Sequence, residues 1–150
     1  MGQSLSNVLL HIIFSTKNRQ LFIDDDIIPE LYAYIISISA SKGSYAHKIG
    51  GMSDHIHLLI TLPRILSICD LLEELKKNSS KWIKLKGKKY KNFAWQKGYG
   101  VFSVSESQHN AVAKYIMNQR EHHKTKSFQD EYREFLKLNK IPFDEKYIWE

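Results

Sequence analysis

Residues 54–62 read Asp-His-Ile-His-Leu-Leu-Ile-Thr-Leu, and no other stretch limits the fold as tightly. As a strand, this segment puts Ile56, Leu58, Ile60 and Leu62 on one face and His55, His57, Leu59 and Thr61 on the other. The first face is aliphatic throughout and calls for a covering layer of helices. The second holds two imidazoles, which belong on an open or differently covered face.

The neighbouring segments supply the rest of such a layered domain. Residues 8–15 are β-branched and aromatic, with Val8, Leu10, Ile12 and Phe14 sharing a side. Asp24, Asp25 and Asp26 suit a helix start, Pro29 its first turn, and Leu31, Ile35 and Ile38 its buried stripe, with an end near Lys42-Gly43. Residues 45–49 form a strand joined to residues 54–62 through Gly50-Gly51, read as a hairpin turn. Ser67 and Asp70 have capping-box spacing before a helix carrying Leu71, Leu75 and Trp82 to about Leu85. Residues 99–104 are a fourth strand. Ser105 to Gln108 is a second capping box, opening a helix through Val112, Tyr115, Ile116 and Gln119. A last helix spans residues 127–138, with Phe128, Tyr132, Phe135 and Leu136 on one side.

The order βαββαβ, with right-handed crossovers, favours a four-stranded antiparallel sheet with both early helices on one face, a ferredoxin-like or RRM-like α+β sandwich followed by C-terminal helices. At 150 residues the chain is expected to be one domain, residues 1–150, with a sizeable core. A single cysteine, Cys69, excludes an intramolecular disulfide and multi-cysteine metal sites and suggests reducing cytoplasm. Cys69 itself falls in a helix first turn and is expected to be buried. The apolar runs are too short and broken to span a membrane.

Formal net charge is +6, but its distribution is uneven. Between residues 76 and 97 lie nine lysines (Lys76, Lys77, Lys81, Lys84, Lys86, Lys88, Lys89, Lys91 and Lys97) and no acid, so the rest of the chain nets −3. Trp82, Tyr90, Phe93 and Trp95 are interleaved with them. Lysines on phosphates plus aromatics on unpaired bases is a single-strand nucleic-acid pattern, although Trp82 also continues an apolar helix stripe. Arg120, Lys124 and Lys126 form a second basic cluster that can add phosphate contacts.

Two residues apart on a strand, His55 and His57 have Cβ atoms about 6–7 Å apart, within reach of one metal ion. Tyr115 and Gln119, four apart, share a helix face. A glutamine carbonyl completes a neutral N, N, O donor set that leaves a cation's charge available to polarise a phosphate, with Tyr115 one turn away as nucleophile. His109, His122 and His123 read as surface residues, and His11 and His47 as sheet residues.

His55-Ile56-His57 followed by Leu58-Leu59-Ile60 resembles the HUH motif, and Tyr115-Ile-Met-Asn-Gln119 resembles the tyrosine motif of single-tyrosine HUH transposases. The opening His11-Ile-Ile-Phe-Ser-Thr-Lys17 and the approach Gly50-Gly-Met-Ser-Asp54 are similar to the insertion-sequence (IS200-like) transposases and their REP-associated relatives. The resemblance implies metal-dependent cleavage and rejoining of single-stranded DNA with hairpin or palindromic ends. Tyr115 would form a 5′-phosphotyrosine link, with Mg²⁺ or Mn²⁺ on His55, His57 and Gln119. It also implies a homodimer whose sites join the histidines of one subunit to the tyrosine helix of the other. A domesticated REP-associated relative would share this chemistry; a non-catalytic module binding single-stranded nucleic acid would share only the fold and the charge.

Overall fold

The computed structural model describes residues 2–150. Its four strands are β1 (Val8–Ser15), β2 (Tyr45–Met52), β3 (His55–Leu62) and β4 (Gly100–Val104), in sheet order β2-β3-β1-β4 with every neighbouring pair antiparallel. Helices α1 (Ile28–Ser41) and α2 (Ile68–Lys84) follow β1 and β3, and α3 (His109–Met117), α4 (Gln119–His122) and α5 (Phe128–Leu138) follow β4. This is the ferredoxin-like α+β arrangement.

The faces of β3 separate as its alternation requires. Ile56, Leu58 and Ile60 join Leu10, Ile12 and Phe14 of β1 in the main core, roofed by Leu31, Ile35 and Ile38 of α1 and Leu71, Leu72, Leu75 and Ile83 of α2. On the opposite face Leu9 and Leu59 pack against Ile116 of α3, and Ile13 and Phe102 pack against Phe128, Tyr132 and Leu136 of α5. The histidine face is therefore roofed by the C-terminal helices, and helices cover both faces of the sheet.

Four local expectations need correction. The hairpin turns at Ser53-Asp54, since Met52 pairs with His55 and Gly51 with Ile56; the two glycines lie inside β2. Their role is close approach: a Cβ on Gly50 would stand 2.4 Å from the Ile116 carbonyl oxygen, and one on Gly51 2.1 Å from that of His55. Ser67 does cap α2, its Oγ accepting from the Asp70 N–H at 3.0 Å, but Ser105 makes no such bond. A 3₁₀ turn over Glu106–Gln108 intervenes before α3. The tyrosine helix is also interrupted at Asn118, so Tyr115 and Gln119 lie on consecutive short helices. Cys69 is exposed, on the outer side of α2's first turn.

The lysine block is divided by the same packing. Tyr90, Phe93 and Trp95 are buried in the main core, Phe93 and Trp95 ring centroids lying 4.8 Å apart and Trp95 donating to Ser79 Oγ at 2.9 Å. They are unavailable for stacking on bases, because the connection after α2 has to close the end of the aliphatic layer. Lys76 turns inward, its ammonium donating to the carbonyls of Gln96, Lys97 and Gly98 at 2.9, 3.2 and 2.6 Å, and burial lowers its pKa to about 8. Lys77, Lys86 and Lys89 face Glu74, Glu30 and Asp24. Lys81, Lys84, Lys88, Lys91 and Lys97 complete the block, which belongs to the layer opposite the histidines.

Candidate active site

β3 presents His55 and His57 on the roofed face, both fully buried. Each ring is oriented by a bond at Nδ1: His55 to Asp54 Oδ1 at 2.7 Å, and His57 to His11 Nε2 at 2.8 Å across the β1–β3 ladder. Their Nε2 atoms point beneath the C-terminal helices. Gln119 Oε1 of α4 lies 3.1 Å from His55 Nε2, so the three residues expected from the sequence do meet.

Two further residues complete the cluster. His123, just beyond α4, donates Nδ1–H to the Lys126 carbonyl at 2.7 Å and brings Nε2 to 2.8 Å from Gln119 Oε1. Glu131 of α5 is buried, with Oε1 2.9 Å from His57 Nε2 and 3.4 Å from His123 Nε2. One ligand atom from each of His55, His57, His123 and Glu131 falls within 4.8 Å of the others. His123 is thus no surface residue, and the expected neutral donor set gains a carboxylate.

This arrangement fits a divalent cation on its own chemistry. All three imidazoles have Nδ1 engaged and Nε2 turned toward a common point, the orientation that outer bonds impose on metal-binding histidines. The one buried carboxylate supplies compensating negative charge, and Gln119 Oε1 adds a second oxygen.

Tyr115 of α3 reaches this cluster within the same chain. Its hydroxyl donates to Glu131 Oε2, and His122 Nε2 lies 3.1 Å away. The Tyr115 ring meets His57 edge-on, 5.8 Å between centroids. Within the single chain, histidines and tyrosine meet in one site, and the close seat of Ile116 on Gly50 holds α3 against its own sheet.

Charge is distributed unevenly across the group. Burial dominates at His57, lowering its pKa to about 4 despite the Glu131 carboxylate, and at His11, lowered to about 3 by burial and the neighbouring His57. Burial alone would raise Glu131, but bonds from His123 and His57 hold it below the usual carboxylate range. At His123 burial is outweighed by Glu131, and its pKa rises. Burial, then the Glu131 bond and charge, push the Tyr115 phenol above its usual value. The resting site is a neutral phenol hydrogen-bonded to an ionised carboxylate.

Arg120, expected to contact DNA, lies exposed on α4 and pairs with Asp25. Sequence reading missed Glu131 and His123. The signal for Glu131 was present: it occupies the i+3 slot after Phe128 on the apolar stripe of α5, where an acid is out of place unless paired. His123 stands four residues after Gln119, hence on the same side, but spacing alone does not separate it from its neighbour His122.

A ferredoxin-like sheet bearing a buried His-x-His pair, closed by a helix that brings a tyrosine to it, is the architecture of a DNA-processing domain. The chain belongs to the family described as IS200-like transposases, whose pattern it matches over residues 4–119. It is 27% identical over 116 residues to the ISDra2 transposase TnpA of Deinococcus radiodurans, an alignment spanning 74% of this chain and 83% of that protein. A crystal structure described as a transposase from Deinococcus radiodurans superposes with a TM-score of 0.62 at 26% identity, covering 79% of this chain and 96% of the other. A REP-associated tyrosine transposase bound to a REP hairpin shares the fold at the same TM-score and 17% identity, over 82% of this chain and 72% of that one. The family match ends at Gln119, so His123 and Glu131 lie beyond it.

Proposed function

We propose that the protein cleaves and rejoins single-stranded DNA through Tyr115. The observation that carries this reading is the Tyr115 hydroxyl seated on Glu131, within the cluster formed by His55, His57, Gln119 and His123. In cleavage the Tyr115 oxygen attacks the scissile phosphorus, the bond to the 3′ oxygen breaks, and a free 3′-hydroxyl leaves the 5′-phosphate on the tyrosine. The phenol proton passes to Glu131 Oε2 or His122 Nε2, and the departing 3′ oxygen takes up one proton, from that group or from solvent, to become the hydroxyl. Rejoining reverses the exchange: a 3′-hydroxyl attacks the phosphotyrosine and the phenol recovers its proton. The phosphodiester energy is kept in the link, which suits strand transfer without ATP.

His55, His57, His123, Glu131 and Gln119 would hold a divalent ion, Mg²⁺ or Mn²⁺, and when bound it supplies Lewis-acid polarisation of the phosphate. Three imidazoles beside one carboxylate favour Mn²⁺ over Mg²⁺. The substrate is proposed to be single-stranded DNA with hairpin or palindromic ends; the REP-associated protein of like fold is bound to a REP hairpin. Phosphate contacts would come from Lys81, Lys84, Lys88, Lys91, Lys97 and Arg120, with Lys77, Lys86 and Lys89 contributing once released from their acids. A homodimer joined along β4, the outer strand of the sheet, would leave each subunit with a complete site.

The test is cleavage of end-labelled oligonucleotides carrying a palindrome, read on a denaturing gel, with mass spectrometry for a DNA adduct on Tyr115. The expected results are an adduct in the native protein, none in Tyr115→Phe, and no cleavage in EDTA. Undiminished cleavage by Tyr115→Phe would refute the mechanism.

A further inference from the structure

Beside the site a cavity of about 350 Å³ opens between the start of α1, the edge strand β2 and the junction of α3 with α4. Its walls are apolar: Ile28, Ile49, Ile116 and Met117. Gln119, whose carbonyl oxygen lies within hydrogen-bond distance of His55 and His123, also lines it, so cavity and site share one side chain. Two cations stand at it, Lys48 and Arg120. Arg120 is held by an exposed pair with Asp25, which contributes little and can be exchanged, and Lys48 has no carboxylate partner among the described residues.

Three features point to one occupant. An apolar lining around a volume of this size suits the carbon-rich faces of a single nucleobase. Cations at the same opening suit the phosphates that flank that base in a strand. β2 is the outer strand of the sheet, so backbone N–H and C=O groups on its free side have no ladder partners and can meet the polar edge of a base. Tyr32, also lining the cavity, remains a neutral hydroxyl donor, since burial raises its pKa to about 12.

We infer that this cavity is a nucleobase pocket that takes one unpaired base of the DNA strand next to the phosphate at the Tyr115 site. The inference rests on the proposed single-strand chemistry and deepens it: a base withdrawn from the strand fixes the register in which the neighbouring phosphate meets the tyrosine. Gly50 belongs to the same construction, because its missing side chain lets Ile116 sit on β2 and close the inner wall.

The test uses the whole protein, methyl-labelled at isoleucine and methionine, titrated with short single strands of thymidine, deoxyadenosine or deoxycytidine and with an abasic strand of equal length and charge. At least one base-bearing strand is expected to produce ring-current shifts at Ile28, Ile49, Ile116 and Met117 that the abasic strand does not. Met117→Ala, which removes an apolar wall at the exposed rim, is expected to weaken that strand's binding about fivefold and to leave the abasic strand unaffected. Tyr32→Phe serves as the conservative variant, keeping the ring and removing one donor. Equal shifts from the abasic strand would overturn the pocket in favour of a simple anion site, and still methyls with all three base-bearing strands would overturn it outright. Tyr115 adduct formation on a hairpin substrate is scored in parallel: an adduct with still methyls defeats the pocket alone, whereas loss of the adduct defeats the proposed chemistry.

Discussion

Acid should unfold this protein through two histidines that belong to the sheet. His11 and His57 are buried, hydrogen-bonded at 2.8 Å, and have pKa values lowered from 6.5 to about 3 and about 4. An unfolded chain protonates both near pH 6.5 while the folded one protonates neither until far lower. The stability they share is therefore intact above pH 6.5 and is lost as pH falls toward the folded values. Between about pH 6 and 4.5 two protons separate the states, giving a slope of about 2.7 kcal/mol per pH unit. Over that span of about 1.5 units it amounts to roughly 4 kcal/mol, against a total of about 5–15 for a domain of this kind. His123, whose pKa is raised, has its contribution fully present below 6.5 and adds no slope there. Glu131, held low, adds its loss only as pH falls through and below its usual range. The assay is urea denaturation followed by circular dichroism in EDTA, repeated across pH 7.5 to 4.5, with His11→Gln alongside. The amide this variant introduces can meet His57 Nδ1 with either its carbonyl or its NH₂, and one titration is removed, so the slope should fall to about 1.4 kcal/mol per unit. A native slope below about 1 kcal/mol per unit, or one that His11→Gln leaves unchanged, would refute the assignment.

Glu131→Gln is expected to lower Mn²⁺ affinity by at least about tenfold in calorimetry, since it removes the only carboxylate of the cluster. Gly50→Ala is expected to cost about 1–3 kcal/mol in denaturant titrations and to suppress the Tyr115 adduct, because the new Cβ would meet the Ile116 carbonyl. Lys76→Met should destabilise by about 2 kcal/mol, leaving the carbonyls of Gln96, Lys97 and Gly98 short of a donor, without altering the salt dependence of DNA binding. Replacing Lys84, Lys88 and Lys91, which border one shallow cavity, with glutamine should flatten the log-log salt slope for single-stranded DNA by about 2; an unchanged slope would remove the block from the interface.

Period-two alternation in β1 and β3 and helical stripes in α1 and α2 were enough to place the main core and the side of the sheet that holds the histidines. Legibility ended where tertiary contact overrides local preference. Gly50-Gly51 has turn chemistry, yet here the absence of side chains is used for close approach of α3, information that resides in Ile116 and not in the strand itself. Lys76, Tyr90, Phe93 and Trp95 have the composition of a nucleic-acid surface and are directed inward, because the long connection after α2 needs apolar filling and its carbonyls need a donor. His55, His57, Tyr115 and Gln119 were legible as a constellation from spacing and motif. Glu131 was not, because its partner His57 lies 74 residues away and only the packing of α5 on the sheet joins them.

That separation also sets an order in time. The sheet, α1, α2 and the tyrosine helix are all encoded before residue 119, whereas His123 and Glu131 come after them. On a ribosome the earlier elements can pair and collapse while the histidine face still lacks α5, its carboxylate and the partner of the Tyr115 hydroxyl. The reactive centre is thus finished only after the sheet and its first helices, and a chain cut short after α4 would keep its motif and most of its core but have an unfinished centre.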